Sequence, residues 1–358
     1  MALRLLLLLA LAGPAAAQGP PQEVLFPGQT GAELRASLRA AYRPSVVTGD
    51  NDDLYSIIDR TTVDGKDGVV GVYTGYFVPF DCDPSCDPSQ DVFNDGAGIN
   101  QEHTWPKSLL AGVAEDDLHN IFPTQVGVNA DRANLRFAEI PDEETDRWYR
   151  GAPPYTQTSP PPLGERDLYS ELLTGVSFEP REGHEGNVAR ALFYVYTVHD
   201  PQTNGAFPFD TAQQETLLRW HALDPVDQTE YDRTFRVAPF QQDKPNPFVL
   251  DSTLIRRAYP DLVPTAAEDE RPAAAALAAF PNPFRDGTAV RLTLAAPGPA
   301  HVAVYDALGR RVALLHDGPL PAGPTALDVP GDDLPPGLYA LRVHTGELTL
   351  SLRLVRVR

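Results

Sequence analysis

Glu102 and His103 stand side by side just ahead of a Trp105-Pro106 turn, and Asn129, Arg132 and Asn134 crowd into one short stretch farther along. A carboxylate, an imidazole, a carboxamide and a guanidinium are the groups needed to hold a hard metal ion, activate a water and neutralise a phosphate. The chemistry this set suits is phosphodiester hydrolysis. Each member also has a plainer role open to it. His103 and Glu102 can be surface or capping residues, and Asn129 can cap a helix or turn. Asn134 fits a cap better than a ligand, because a five-residue step turns it away from Asn129. His119 is divided between the surroundings of the site and the core, and Asp117 between orienting a neighbour and capping a helix.

The elements that must position these groups follow from local pattern. Residues 99–104 predict a short strand ending at Trp105-Pro106, because proline disfavours helix in the residue before it. Residues 124–135 predict a helix after Pro123, with Asn129 and Arg132 three apart on one face. A strand-borne Glu-His facing a helix-borne Asn and Arg would enclose a metal and one phosphate between two rigid elements. Upstream, 30–42 and 51–60 predict helices, and the Val/Tyr/Phe-rich 68–80 predicts a strand bent at its glycines. Downstream, 186–199, 211–223 and 228–237 predict helices. The aromatic residues Phe193, Tyr194 and Tyr196 belong to the core there, and 241–248 is an irregular strap.

The N-terminus carries Arg4, an apolar run over 5–12 and then Ala15-Ala16-Ala17. This predicts a signal peptide, residues 1–17, cut after Ala17. No later stretch approaches the roughly 18 apolar residues of a membrane span. The expected mature protein is therefore exported, soluble, monomeric and not stably inserted in a membrane. The chain has 358 residues, enough for two domains after the leader is removed. Cys82 and Cys86 lie in DCDPSCDP. An oxidising compartment favours a local disulfide, with a carboxylate-lined metal loop through Asp81, Asp83 and Asp87 as the alternative.

Charge argues against easy contact with nucleic acid. The formal net charge is −20, and the first 265 residues hold 20 Lys+Arg against 39 Asp+Glu. Cations that release counterions normally drive such binding, so the overall field opposes encounter. Lysine is confined to Lys66, Lys107 and Lys244. An acidic, lysine-poor surface fits a protein that works in high salt, where the repulsion is screened.

The ordered series Asn100-x-Glu102-His103-Thr104-Trp105-Pro106-Lys107-Ser108, Asp117-Leu118-His119-Asn120-x-x-Pro123 and Val128-Asn129-x-x-Arg132-x-Asn134 resembles the bacterial endonuclease I family. These are secreted nucleases of the His-Me, or ββα-metal finger, class. The likeness continues through Phe178-Glu179-Pro180-Arg181, Gly186-Asn187-Val188-Ala189-Arg190-Ala191 and Trp220-His221-x-x-Asp224-Pro225, and covers about residues 30 to 260. It implies an α+β fold, with a ββα-metal finger core surrounded by helices.

On matching positions the resemblance makes His103 the general base. It makes Glu102 and Asn129 the protein ligands of one Mg²⁺ or another divalent ion such as Ca²⁺ or Mn²⁺. The substrate it implies is DNA, with RNA as a second one, cut with little sequence preference to leave a 5′ phosphate. A phosphate-binding Arg that some relatives carry after the Glu-His pair is missing from 109–117. Lys107, Arg132 or Arg190 must then supply that charge, and Arg132 is the favoured one because it shares a helix face with Asn129. Glu182 and Glu185 also stand where the family pattern leads one to expect a basic residue.

Residues 280–358 alternate apolar and polar positions between Gly/Pro turns and predict a small β-sandwich. Phe280-Pro281-Asn282-Pro283-Phe284, Val304-Tyr305-Asp306-x-x-Gly309-Arg310 and Pro336-Gly337-Leu338-Tyr339 resemble the C-terminal sorting domain of the type IX secretion system. That resemblance implies a secretion-machinery partner and a secreted or cell-surface location. The expected layout is a catalytic domain at 18–262, a Pro/Ala/Glu-rich linker at 263–279 and the sandwich at 280–358. Two function classes follow, a metal-dependent nonspecific endonuclease or a surface-displayed binding protein on a nuclease-like scaffold that has lost activity. No Gly-x-Ser-x-Gly elbow, His-Glu-x-x-His or Walker loop supports a serine hydrolase, zincin or nucleotide-binding enzyme.

Overall fold

The computed structural model describes residues 20–81, 87–153, 156–262, 275–280, 284–285, 287–294, 296–306, 310–331, 334–345 and 348–357. The leader, the Cys82/Cys86 pairing and linker residues 263–274 lie outside the described residues. The helix Glu182–His199 runs through the centre of the first unit and is buried on nearly every side. A helix that is apolar around most of its circumference has no face to give to water and must be enclosed. Helices Gly31–Tyr42 and Thr211–Leu223 pack on it. Trp105, Phe193, Phe207 and Trp220, all with no exposed surface, fill the space between. Trp105 meets Phe207 edge-on at 4.9 Å and Phe209 at 5.1 Å. The turn after His103 is thereby anchored in the core.

The first unit also holds three sheets. The strands Arg60–Val63, Lys66–Val70 and Phe77–Pro79 form an antiparallel meander. A five-stranded sheet is built from 136–137, 177–179, 170–173, 147–149 and 156–157, in that order, with the first pair parallel. The third is the ribbon Ile99–His103 paired antiparallel with Ile121–Gln125, in which His103 lies opposite Ile121 and Glu102 opposite Phe122. The helix Val126–Arg132 follows the second of these strands with no loop between them. The chain is thus mixed α and β, followed by an all-β C-terminal region.

Several boundaries differ from expectation, each for a local reason. The helix predicted over 124–135 is shorter at both ends. Residues 121–125 are all buried and pair as a strand, and Pro123 tolerates this because its carbonyl accepts from Val72 N at 2.8 Å. The Gln125 side chain then caps the helix by accepting from Val128 N. Ala133 ends the helix with φ 50°. The 51–60 helix is one α turn followed by a π segment at Leu54–Ile58, closed by Asp59 N donating to Leu54 O. The 68–80 stretch is two strands, not one. The chain reverses where Gly71 N donates to Tyr76 O, and Gly75 takes the positive φ of 69° that the turn requires.

The C-terminal strands form a three-stranded and a four-stranded antiparallel sheet around a separate core containing Val290, Leu292, Val302, Val304, Leu341 and Leu354. Ala275–Phe280 pairs with Gly287–Leu294. The last residues of the expected linker therefore belong to this unit, with Leu277 and Ala279 packed against its core. Among the described residues no helix is long and apolar enough to cross a membrane.

Candidate active site

The ribbon and its helix bring Glu102, His103 and Asn129 to one place. Asn129 Nδ2 donates to Asn100 Oδ1 and to the Gln101 carbonyl, both at 2.8 Å. A carbonyl only accepts, so the amide nitrogen faces the strand and Oδ1 is the end left for another partner. This pair of bonds holds the helix to the strand beside Glu102.

The Glu102 carboxylate is 1% exposed. Its Oε1 accepts the Tyr73 hydroxyl at 2.8 Å and meets Arg132 Nη1 at 3.0 Å. Both contacts fall on Oε1, so neither claims Oε2. Burial raises the carboxyl above its ordinary range, and Arg132 and Tyr73 pull it back down. A bound cation would act in the same direction as Arg132, favouring the carboxylate.

His103 sits at the end of the strand, partly buried, with Nε2 3.0 Å from the Glu115 carbonyl. The carbonyl requires a donor, so the neutral ring carries its proton on Nε2 and its lone pair on Nδ1. Burial is the largest influence on its pKa and lowers it; Glu115 and Asp116 push the other way, Lys107 and Arg132 the same way. The imidazole is therefore neutral at neutral pH, as a proton acceptor must be.

Arg132 is placed differently from expectation. It is 1% exposed, and beyond Glu102 it donates from Nη1 to His103 O and Ala133 O and from Nη2 to Thr104 O. Its guanidinium also lies over the Phe137 ring, 4.5 Å from the centroid. The group expected to grip a phosphate is turned inward and ties the end of the Glu-His strand to the helix. Arg190 is likewise enclosed, in a two-point ion pair with Glu230 at 2.7 and 2.6 Å. Lys107 remains exposed. Tyr73 and the Glu115 carbonyl are contributors that carry no local signal, since the first is 29 residues from its partner and the second is backbone.

The polar residues between the two strands are scaffold. Asn120 forms a reciprocal pair with the Trp105 backbone, accepting at 2.7 Å and donating at 3.0 Å. Asn134 Nδ2 donates to Ser108 Oγ at 3.1 Å. Asp117, with no exposed surface, accepts from His119 N, Gln241 Nε2, Tyr194 OH and His199 Nε2 at 2.7 to 3.0 Å. Burial alone would raise its pKa, but the bond from His199 and the neighbouring charges lower it.

His119 donates from Nε2 to Lys244 O and packs edge-on against Tyr194. It belongs to the core. Burial pushes its pKa down to about 4, and burial together with Arg190 does the same to His221. Both imidazoles are neutral when folded and take up protons on unfolding below pH 6.5. The contribution of each ring is fully present above that pH and is lost as pH drops to about 4, by roughly 3 kcal/mol, while buried carboxyls such as Glu171, raised to about 8, and Asp224, raised to about 7, act in the opposite direction. Urea titrations of the wild type and His119→Gln across that range check this, because the stability difference between the two should change with pH, and a difference that stays constant would refute it.

Among the described residues no group of three or more His, Cys, Asp or Glu side chains is arranged to hold a metal. A single carboxylate with a single carboxamide falls below that number. The oxygens present are those a hard, largely hydrated divalent cation takes.

A buried carboxylate, a neutral half-buried imidazole and a helix-borne carboxamide are thus held together on a two-stranded ribbon. The chain belongs to the endonuclease I family, whose sequence pattern it matches over residues 30–253. It is 30% identical over 166 residues to an extracellular ribonuclease of Bacillus subtilis, a match covering 42% of this chain and 50% of the relative. It is 28% identical over 136 residues to an extracellular deoxyribonuclease of Aeromonas hydrophila, covering 38% and 49%. The chain spans about half the length of the curated relatives it matches. Dimeric latent PorU from Porphyromonas gingivalis matches 23% of this chain and 9% of its own at 20% identity, with a TM-score of 0.20.

Proposed function

We propose that this protein is a secreted, divalent-metal-dependent nuclease that hydrolyses phosphodiester bonds of DNA and RNA with little sequence preference. The observation that carries the reading is the juxtaposition of Glu102, His103 and Asn129, fixed by the two bonds from Asn129 to the strand. In this reading the ribbon and its helix are a ββα-metal finger. Glu102 Oε2 and Asn129 Oδ1 would hold one Mg²⁺, or another divalent ion such as Mn²⁺ or Ca²⁺. The ion supplies electrostatic stabilisation of the phosphate oxygens and the leaving 3′ oxygen.

His103 Nδ1 accepts a proton from a water as the water oxygen bonds to phosphorus. The bond from phosphorus to the 3′ oxygen breaks, that oxygen takes a proton from solvent, and a 5′ phosphate remains. The Glu115 carbonyl keeps Nε2 protonated and the ring oriented throughout. Arg132 is a positioning residue that acts through Glu102 and the strand carbonyls.

The family supports export, as do the names of the extracellular relatives. The leader at 1–17 and the sorting motifs at the C-terminus fit secretion through the type IX machinery, with a monomeric product that is released or surface-held. Plasmid DNA and an unstructured RNA, incubated with the full chain and each divalent ion, test the activity. Cleavage with Mg²⁺ that stops with EDTA and returns with excess Mg²⁺ is the expected result. Cleavage untouched by EDTA would refute the metal assignment, and no cleavage under any ion or salt condition would favour the binding-protein alternative.

A further inference from the structure

A cleft of about 430 Å³ lies beside the catalytic ribbon, lined by Asn51, Asp52, Ser89, Gln101, Lys107 and Asp116 among others. Gln101 is two residues before His103 on the same strand, so the two side chains leave the same face. Ile121, the cross-strand partner of His103, also lines it. Asp116 follows the residue whose carbonyl holds His103. The cleft is thus continuous with the face of the ribbon that presents the imidazole.

Lys107 is the cation in its lining, and among the described residues it makes no ion pair. Nearby arginines are engaged elsewhere, Arg132 with Glu102, Arg136 with Asp210 and Arg147 with Asp131. The mount of Lys107 is rigid. Trp105 before it is pinned by Asn120, and Ser108 after it by Asn134. An exposed ammonium on a fixed backbone, facing a polar cleft beside the catalytic imidazole, has the chemistry of a phosphate contact.

We infer that this cleft is a subsite for the nucleotide next to the scissile bond, with Lys107 holding that nucleotide's phosphate and Asn51, Ser89 and Gln101 facing its sugar and base. The inference rests on the nuclease reading above and deepens it, because it places the positive charge that 109–117 lacks. The carboxylates of Asp50, Asp52 and Asp116 at the same cleft oppose the phosphate, so binding there is weak and its one attractive charge is that of Lys107.

The test uses the full chain with His103→Ala, which separates binding from cutting, and a short fluorescein-labelled oligothymidylate with Mg²⁺ over a salt series. Adding Lys107→Gln is expected to weaken binding about tenfold and to reduce the slope of log affinity against log salt by about 0.7. Lys107→Arg should restore both, and Asp116→Asn should tighten binding. Asn51→Trp, which fills the cleft without changing charge, should also weaken binding. If His103→Ala binds the oligonucleotide but Lys107→Gln and Asn51→Trp change neither affinity nor slope, the subsite is refuted and the nuclease reading stands. If His103→Ala does not bind and the wild type does not cut, both fall together.

Discussion

Alanine at position 103 is expected to lower kcat on DNA by roughly 10²–10⁴-fold, with binding and thermal midpoint close to wild type. The side chain stands at the end of a strand, partly exposed, and its contact is one bond to the Glu115 carbonyl. Its loss therefore opens no large cavity and orphans no buried charge. The effect should fall on the chemical step, because Nδ1 is the basic lone pair that the geometry leaves at the site. Burial lowers the His103 pKa below 6.5. The neutral, active form then predominates above that value, and kcat should rise with pH along an acid limb that ends below 6.5. Glutamine at 103 retains a polar side chain but no titrating base, so that limb should vanish in both variants. Single-turnover cleavage of a labelled duplex between pH 4.5 and 8 measures it. A limb that survives His103→Ala would assign the titration to another group and remove His103 from the proton transfer.

The sequence made parts of this site legible and hid others, for physical reasons. Glu102 and His103 are adjacent on a strand that a Trp-Pro turn terminates, so their type and local conformation could both be read. Asn129 was legible by its place in an ordered motif, yet its orientation depends on bonds to Asn100 and Gln101 across the ribbon. Tyr73 reads in the sequence only as part of an apolar strand. Its hydroxyl reaches Glu102 through tertiary folding that no local period encodes.

The direction of Arg132 is not legible in the sequence because helical spacing fixes where a Cα lies, not where a long side chain ends. Arg132 is the last residue of a seven-residue helix, where free strand carbonyls and the Phe137 ring lie within reach. Pro123 shows the converse. Proline usually marks a boundary, but here it sits inside a strand, because its missing N–H costs nothing in a two-stranded ribbon.

The net charge of −20 also has a local meaning that the total does not convey. Many arginines of the first unit are bound to their own acids, as Arg147 is to Asp131 and Arg233 to Asp59. Little positive potential is then left for a substrate. Glu182 and Glu185, where basic residues were expected, have carboxyls raised by burial first and then by neighbours, Asp167 for Glu182 and Glu179 for Glu185. Part of the nominal negative charge is thereby muted near the site. Recognition would rest on a few fixed contacts instead of a broad basic field, which fits a protein whose surface repels nucleic acid at long range.

Arg132→Met is the substitution expected to cost the most stability, about 3–5 kcal/mol. Both members of the Arg132–Glu102 pair are 1% exposed at 3.0 Å. Removing the cation leaves a buried carboxylate with the Tyr73 hydroxyl as its remaining partner, and orphans acceptors at His103 O and Thr104 O. Lysine should not restore it. A single ammonium cannot span Glu102, His103 O, Ala133 O and Thr104 O as the planar fork does.

The double substitution Arg132→Met with Glu102→Gln removes the uncompensated charge and should recover part of the lost stability. It should recover none of the activity, since the carboxylate that would hold the cation is gone. Urea unfolding of the four proteins, beside kcat and KM for those that fold, separates two roles for the residue. A positioning role predicts a large stability loss and a weakened apparent Mg²⁺ affinity, with the salt dependence of DNA binding unchanged. If Arg132→Met instead folds as stably as wild type and loses about one unit of salt slope, the guanidinium contacts phosphate in the complex. It would then have to leave its carbonyls when substrate arrives.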